Sequence, residues 1–337
     1  MYGRAVYRAT CCVIGFCQSH GLWLGPAIWH FLDASCVCKG PSYMSTPNLF
    51  LIAAPRAGST QLAYWMDSHP DISLSRVKEP NYFSAHEFKP DYVRSSHLND
   101  VNPTQYVKSG CARRAQFAVF RSCADYEALF ATSCSRWRFE ASTSYLACPE
   151  APVKLQVYAP QARIILLTRN PLERSLSHYK LARRTGRVAH SLRQALLEEQ
   201  SGITDLAARF LLRPSRQWPG CARIKALFDP GQILSIEFEK MIVSPRACLN
   251  DIAAFLNVDP RGFDLSVQVR NASAAVRFDR LNRLLEVRGF KTILRRHLPF
   301  RIKAMLKPIW FDTGCTMDIS AGDRFRVASA LDIECGC

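Results

Sequence analysis

A short apolar run that leads directly into a turn of small residues constrains the fold of this chain more than any other feature. The run is Asn48 to Ala54 (NLFLIAA), and a continuous apolar segment is typical of a strand buried on both faces of a parallel sheet. The turn is Pro55 to Thr60 (PRAGST), after which Gln61 to Met66 predicts a helix. Arg163 to Thr168 (RIILLT) repeats this arrangement before a helix predicted to begin at Pro171.

These strand–turn–helix units predict an α/β fold, namely a doubly wound, mainly parallel sheet flanked by helices. The chain has 337 residues, of which 48% are apolar and 21% charged, so its composition is that of a globular protein and excludes a largely disordered one. Further predicted helices and strands alternate along the chain. They are the helices Ser122 to Phe130, Ala151 to Tyr158, Ser191 to Gln200 and Pro245 to Leu256, and the strands Trp137 to Glu140 and Ile233 to Ile236.

The first 45 residues differ from the rest of the chain. No Asp, Glu, Lys or Arg occurs from Ala9 to Leu32, and Arg4 and Arg8 precede that stretch, which is the layout of a signal or of a single membrane span. Gly25-Pro26 and several polar residues interrupt it, which weakens it as a span. We therefore predict that residues 1–45 are an N-terminal extension, either disordered or a weak membrane anchor over residues 9–32, followed by a single domain over residues 46–337. The predicted location is cytoplasmic, with the N-terminal anchor as the alternative.

The chain is strongly basic, with a formal net charge of +16. Ten Lys or Arg residues against two acidic ones lie between Arg277 and Lys307, where apolar residues at near-helical spacing predict a basic helical region. Such a field concentrates anions of several kinds. No recognisable nucleic-acid-binding motif is present, so we predict no nucleic acid partner. The 14 cysteines include no C-x-x-C pair, so they predict buried, reduced thiols and no metal site.

The turn after the first predicted strand has the chemistry of an anion site. Gly58 allows the backbone to turn sharply, and the amides of Ala57 to Gln61 are predicted to point at one position at a helix N-terminus. Ser59 and Thr60 add hydroxyl groups, and Arg56 adds a planar, charged fork that suits oxyanions. The segment is not a Walker A loop, because it lacks the first Gly and the Lys of that motif. An ordinary strand-to-helix turn is the alternative.

A second anion site is predicted at the turn that follows Arg163 to Thr168. Arg169 stands at the end of that predicted strand, and Arg174, Ser177 and His178 share one face of the helix that begins at Pro171. Arg169 and Ser177 can therefore reach the same anion. Taken alone, this segment is equally consistent with a capped helix whose charges are paired within the protein.

Together these motifs resemble the sulfotransferases that use 3′-phosphoadenosine 5′-phosphosulfate (PAPS). The resemblance covers about Pro47 to Asp264, and five motifs occur in the family's order. They are Pro55 to Thr60, Lys78 to Phe83 (KEPNYF), Phe139 to Tyr145 (FEASTSY), Arg169 to Tyr179 (RNPLERSLSHY) and Ile236 to Lys240 (IEFEK). The resemblance therefore implies PAPS as the donor and its product, adenosine 3′,5′-bisphosphate (PAP), as a further ligand.

The resemblance also implies roles for individual residues. The Pro55 to Thr60 segment would hold the 5′-phosphosulfate, and Arg169 with Ser177 would hold the 3′-phosphate. Glu79 would take the acceptor proton as general base, with His86 as the substitute. Lys78 would either steady the sulfuryl oxygens or keep the Glu79 carboxylate charged. No metal is implied, because the sulfuryl group carries less charge than a phosphoryl group and arginines with backbone dipoles suffice.

Arg56 and the Glu79 segment make the chain more similar to the heparan-sulfate and bacterial carbohydrate type than to the cytosolic steroid and phenol type. The predicted acceptor is therefore a carbohydrate, a glycolipid or another anionic glycan. Ala141 stands where the heparan type often has Lys, which leaves the acceptor open. Two alternatives remain: a nucleotide kinase-like phosphotransferase, disfavoured by Arg169 where a Mg²⁺-binding Asp is expected, and a non-enzymatic polyanion-binding protein.

Overall fold

The computed structural model describes residues 46–95, 98–185, 188, 190–202, 210–267, 275–276, 311–312 and 318–332. The predicted N-terminal extension (1–45) and the predicted basic helical region (277–307) lie outside the described residues, so both stay predictions. Within the described part of the chain, no helix combines the length and apolarity that crossing a membrane requires.

Five parallel strands form the central sheet, and four short strands form two smaller pairs. The strands are β1 (Leu49–Ala53), β2 (Ile72–Leu74), β3 (Val77–Glu79), β4 (Ala115–Phe117), β5 (Trp137–Glu140), β6 (Arg163–Thr168), β7 (Ile233–Glu237), β8 (Ala275–Val276) and β9 (Phe311–Asp312). The central order is β2-β5-β1-β6-β7, and every pairing in it is parallel. The pair β3-β4 is also parallel, whereas β8-β9 is antiparallel.

Helices follow most of the strands. They are α1 (Ser59–Asp67), α2 (Pro90–Ser95), α3 (Pro103–Lys108), α4 (Cys123–Glu127), α5 (Ala151–Tyr158), α6 (Pro171–Thr185), α7 (Leu192–Gln200), α8 (Trp218–Leu227), α9 (Phe238–Val243), α10 (Pro245–Leu256) and α11 (Ala321–Asp332). The predicted α/β class, with a mainly parallel sheet flanked by helices, is confirmed. The predicted helix from Ser122 is shorter than expected, since α4 ends at Glu127 and a 3-10 turn covers Ala128–Phe130.

The sheet order explains why the two predicted anion sites are neighbours. β1 and β6 are adjacent and in register from Leu49 opposite Arg163 to Ala53 opposite Leu167, so both end at the same edge of the sheet. From β1 the chain crosses toward β2 on one side, and from β6 it crosses toward β7 on the other. Right-handed crossovers then place α1 and α6 on opposite faces, which opens a crevice between the two turns.

Burial of β1 and β6 fixes that edge firmly. All five residues of β1 and the four interior residues of β6 are buried, as continuous apolar runs require in a parallel sheet with two covered faces. Their side chains belong to one hydrophobic core that also includes α1 and α10. The two turns therefore extend from strands that are closely packed in the core.

Candidate active site

The turn after β1 has a strained backbone and an uncapped helix start. Arg56 has φ of 71° and Gly58 has φ of 81°, so two residues within three positions are left-handed. Helix α1 receives no side-chain cap from Gly58 and has no acidic residue in its first turn, so its N-terminal amides and dipole remain for an external anion. The Ala57 N–H, however, donates to the Ala54 carbonyl at 3.1 Å. This bond corrects the prediction that the Ala57 amide points at the anion.

Close packing explains the glycine in this turn. A Cβ built on Gly58 would lie 2.9 Å from ring atoms of Phe238 and from the methyl group of Met241. Both residues belong to α9, which follows β7. The turn therefore packs directly against α9, and a side chain at position 58 would force the turn and the helix apart.

The two predicted turns touch each other directly. The Arg169 guanidinium donates to the Arg56 carbonyl at 2.6 Å, and Arg56 Nε donates to the Ser177 hydroxyl at 3.2 Å. The Arg169 guanidinium also stacks on the Phe238 ring, 4.4 Å from its centroid. Arg56, Arg169 and Ser177 are thus brought together although they come from two segments more than 100 residues apart.

Positive charge is concentrated where the turns meet. Burial lowers the pKa of Arg56, and the nearby charges of Arg184 and Arg169 lower it further. Burial also lowers the pKa of Arg169, although the charges of Glu239 and Glu173 act in the opposite direction. Burial lowers the pKa of Arg184 as well. Among the described residues, Arg56 forms no ion pair with a carboxylate. A bound oxyanion would relieve this repulsion, so the site favours anions of more than one charge.

Sequence reasoning missed Arg184, although a local signal for it exists. It lies seven residues after Ser177 on α6, which returns it to the same helix face. The other residues predicted to bind the sulfuryl donor, Thr60 and Gln61, lie on α1. Thr60 is half-buried at the helix start, and the Gln61 amide donates to the Val267 carbonyl at 2.6 Å, which ties down the segment after α10.

Lys78 and Glu79 form a buried pair beside the first turn. Lys78 has 1% side-chain exposure, and its ammonium group donates to Glu79 Oε1 at 2.9 Å and to the Ser59 hydroxyl and the Ala141 carbonyl at 3.3 Å each. The Ser59 contact links this pair to the N-terminus of α1. Lys78 also lies beside Ala141, the position where the predicted family pattern often has Lys.

Three donors hold the Glu79 carboxylate in a defined orientation. Besides Lys78, Gln116 Nε2 donates to Oε1 at 3.2 Å and the Thr143 hydroxyl donates to Oε2 at 3.0 Å. The Glu79 side chain is only 13% exposed, which argues against a solvated surface ion pair. Gln116 reaches it because β4 pairs with β3, with Phe117 opposite Glu79. No local pattern in the sequence predicts Gln116, whereas Thr143 lies within the Phe139 to Tyr145 motif but has no predicted role.

Arg174, which the helical spacing groups on one face with Ser177, faces the protein interior. Arg174 is fully buried, and its guanidinium donates to the Ser215 hydroxyl at 2.6 Å, to the Leu211 carbonyl at 2.9 Å and to the Phe210 carbonyl. It also lies 3.1 Å from His178 Nδ1. Arg174 therefore fixes the segment before α8 and does not offer its charge to the crevice.

His86 belongs to a separate ion-pair network. Its ring nitrogens lie 3.2 Å from Lys154 Nζ and 3.3 Å from Glu150 Oε2, and burial followed by the Lys154 charge lowers its pKa. Its ligand atoms, with those of Glu87 and Cys148, lie within 4.8 Å of one another. Among the described residues, no hydrogen-bond partner of His86 belongs to the Glu79 cluster, so a role as substitute base receives no geometric support.

Glu140, at the end of β5, is the most perturbed carboxyl group of the described residues. Burial raises its pKa to about 7, and hydrogen bonds from Ser142, Tyr145 and Tyr126 oppose that rise. The Tyr145 hydroxyl donates to Oε1 at 2.5 Å and the Ser142 amide to Oε2 at 2.8 Å. Glu140 thereby fixes the residues on both sides of Thr143, and Thr143 in turn donates to Glu79.

A large cavity adjoins the Glu79 cluster. Its volume is about 1410 Å³, and its walls come from α2, α3, β4 and the residues between them. Gln116 lines it and also donates to Glu79, so the cavity reaches the partners of this carboxylate. Four arginines (Arg94, Arg113, Arg114 and Arg121) and one acidic residue, Asp100, line it. The cavity is therefore suited to a polar ligand larger than a single sugar.

Comparison with known proteins adds independent information. The family model described as "Sulfotransferase family" matches residues 47–261. The human bifunctional heparan sulfate N-deacetylase/N-sulfotransferase 2 is 24% identical over 219 residues, covering 64% of this chain and 22% of that protein. Human carbohydrate sulfotransferase 15 is 22% identical over 248 residues, covering 64% of this chain and 44% of that protein. The chain thus spans less than half of the length of either relative.

A solved structure shares the fold. The crystal structure of a sulfotransferase from Alicyclobacillus acidocaldarius superimposes with a TM-score of 0.54 at 24% identity, covering 75% of this chain and 97% of that one.

Proposed function

The chain belongs to the sulfotransferase family, and from that premise we propose that it transfers a sulfuryl group from PAPS to a hydroxyl or amine of a carbohydrate or glycolipid. The observation that carries the proposal is the direct contact between the two cationic turns, in which Arg169 donates to the Arg56 carbonyl and Arg56 to Ser177. A crevice in which the charges of Arg56, Arg169 and Arg184 lie close enough to interact fits a donor that bears an anionic group at each end.

Each turn would hold one end of the donor. Arg56 and the uncapped amides of α1 would bind the 5′-phosphate and stabilise the charge that grows on its bridging oxygen. Arg169 and Ser177 would bind the 3′-phosphate, with Arg184 adding charge nearby. A donor without that phosphate would leave these cations unmatched, so the site would discriminate against it.

Glu79 would act as the general base. In the transfer, the bond between sulfur and the bridging phosphate oxygen breaks, a bond from the acceptor oxygen or nitrogen to sulfur forms, and PAP leaves with the electron pair. The acceptor proton goes to Glu79, whose carboxylate Lys78, Gln116 and Thr143 hold in place. Lys78 also contacts Ser59, so its charge lies between base and donor, where it would steady the sulfuryl oxygens.

We infer that the acceptor enters through the cavity beside Gln116. Its volume of about 1410 Å³ accommodates an oligosaccharide segment, and Arg113 and Arg121 donate only to backbone carbonyls in this wall. Their charges are therefore available to carboxylates or sulfates on an acidic glycan. The carbohydrate relatives support the same acceptor class.

Sulfuryl transfer from radiolabelled PAPS to heparan, chondroitin and chitin oligosaccharides tests the proposal. We expect transfer by the wild-type protein and a loss of about 100-fold or more in kcat for Glu79→Gln, since the base is removed. The KM for PAPS should stay within about twofold, because Glu79 does not bind the donor. Glu198→Gln on α7 is the matched control and should retain wild-type activity.

Product binding provides a test that needs no acceptor. PAP should stabilise the protein against heat more than ATP or Mg-ATP does, because ligands that bind only the native state raise its stability. Stabilisation that requires Mg-ATP would favour the kinase-like alternative. Binding of polyanions that is unaffected by Arg56→Ala would favour the non-enzymatic one.

A further inference from the structure

We infer that Gln217 is a positioning residue for donor selectivity: its side-chain amide clamps the backbone of Arg169 and thereby sets the Arg169 guanidinium for the 3′-phosphate. The inference rests on the proposed function, because it assigns Gln217 a part in recognising the PAPS donor.

The clamp consists of two hydrogen bonds to a single residue. The Arg169 N–H donates to Gln217 Oε1 at 3.0 Å, and Gln217 Nε2 donates to the Arg169 carbonyl at 2.7 Å. β6 ends at Thr168, which pairs with Glu237 of β7, so the sheet ladder stops one residue before Arg169. The Gln217 side-chain amide offers an acceptor oxygen and two N–H donors, so it can accept from the N–H and donate to the carbonyl of one residue just beyond the end of the strand.

The orientation of the Arg169 side chain depends on this backbone anchor. Its guanidinium donates to the Arg56 carbonyl and stacks on Phe238, but its Nε is buried without a hydrogen-bond partner among the described residues. The Nε edge of the guanidinium therefore has no polar anchor in the described part of the chain. If the backbone of Arg169 rotated, the guanidinium would leave both the Arg56 carbonyl and the ring.

Burial and hydrogen bonds hold Gln217 and the segment before it in place. Gln217 is buried just before α8, and its backbone N–H donates to the Ser215 carbonyl at 2.9 Å. Ser215 in turn is bound by the buried Arg174 at 2.6 Å. The Glu199 carboxylate holds the same segment, because it accepts from the backbone amides of Leu211, Leu212 and Arg213 at 2.7 to 3.0 Å.

This network gives a function to polar residues that the reaction itself does not use. Arg174 donates to carbonyls and Glu199 accepts from amides of one segment, which satisfies buried polar groups of that segment and fixes its conformation. The segment then presents Gln217 to Arg169. Small displacements of a positioning group reduce binding and rate by large factors. The rigidity that this network gives the segment therefore serves donor recognition.

Substitution of Gln217 by Met tests the clamp, because Met keeps the length and volume but loses both hydrogen bonds. We expect the dissociation constant for PAP to rise about tenfold, whereas that for adenosine 5′-monophosphate (AMP), which lacks the 3′-phosphate, stays within about twofold. Gln232→Met is the matched control. Gln232 Nε2 also bridges two backbone carbonyls, those of Pro160 and Ala162, but at the opposite end of the sheet. Its loss should lower thermal stability without changing the ratio of PAP to AMP affinity.

Gln217→Glu provides a second variant should the Met variant fail to fold. The carboxylate still accepts from the Arg169 N–H but cannot donate to its carbonyl, and it places a negative charge beside the site. We expect it to reduce PAP affinity at least as much as Met does, again with AMP affinity unchanged.

A double-mutant cycle separates positioning from general weakening. In an Arg169→Ala background, Gln217→Met should have no further effect on PAP affinity, since Gln217 acts only through Arg169. Losses that multiply in the double variant, or equal losses for PAP and AMP in the single one, would overturn the inference while leaving the proposed function intact. A wild-type protein that binds PAP no better than AMP would overturn the proposed function itself.

Discussion

Arg56 retains a backbone conformation that L-residues normally avoid. With φ of 71°, it carries a cost of about 1–2 kcal/mol relative to an ordinary conformation. The conformation turns its carbonyl toward Arg169 and its guanidinium toward Ser177, so one strained residue joins the turns that follow β1 and β6. Strain of this kind persists where the surrounding contacts over-determine the backbone, and functional sites are the usual place for it.

Glu140 should make stability depend on pH. In the unfolded chain this carboxyl group titrates near its ordinary pKa of 4.5, and in the folded protein burial raises the pKa to about 7. The folded state therefore binds the proton more tightly, so the associated stability is present in full below pH 4.5 and is lost as the pH rises through 7.

Comparison with Glu140→Gln isolates this effect, because Gln does not titrate. The free energy of unfolding of the wild type, relative to the variant, should fall by roughly 3 kcal/mol as the pH rises from 4.5 to 7. Urea unfolding of both proteins at several pH values measures the difference. A difference that stays constant over this range would show that Glu140 titrates normally.

The turn between β1 and α1 depends on glycine for two separable reasons, and this leads to a prediction about Gly58→Ala. Gly58 needs a left-handed φ of 81°, and its Cα approaches Phe238 and Met241 too closely for a side chain. We expect the substitution to lower the free energy of unfolding by about 2–5 kcal/mol, combining the backbone cost with overpacking.

Gly110→Ala supplies the matched control for this turn. Gly110 has a similar φ of 73°, but nothing lies within 4 Å of a Cβ built on it. Its substitution should cost only the backbone part, about 1–2 kcal/mol by urea unfolding. Equal losses in the two variants would show that packing against α9 contributes nothing.

Elements whose signals are local could be predicted from sequence, and elements formed by distant pairing could not. β6, α5 and α10 begin and end where the apolar runs and prolines indicate. β3 and β4 have three residues each, too few for a periodic pattern, and their paired residues lie 38 positions apart. Gln116 reaches Glu79 only through that pairing.

The same distinction holds for the site. Arg56, Arg169 and Ser177 lie in motifs with recognisable spacing, and the sheet order brings them into contact with one another, whereas their binding of a donor stays a prediction. Gln217 contacts Arg169 from 48 positions away, through a loop that no motif marks. Arg174 shows what helical spacing leaves open: the spacing groups it with Ser177 on one face, but its depth of burial depends on the segment packed above it.

At the scale of the whole molecule, the net charge of +16 acts through its distribution. The general field draws polyanions of any kind to the surface, which by itself gives neither selectivity nor catalysis. Selectivity requires cations that the fold buries close to one another, and Arg56 and Arg169 are buried where the β1 and β6 turns meet. The parallel order of the sheet is what concentrates them there.

The most direct test of this account measures binding of three nucleotides to the wild type, Arg56→Ala and Arg169→Ala by calorimetry. The nucleotides are adenosine 5′-monophosphate, adenosine 3′-monophosphate and PAP, which carries both phosphates. The account predicts that wild type binds PAP tighter than either monophosphate, that Arg56→Ala chiefly weakens the 5′-monophosphate, and that Arg169→Ala chiefly weakens the 3′-monophosphate. Equal affinity of the wild type for all three nucleotides, unchanged in both variants, would contradict the claim that two turns hold opposite ends of one donor.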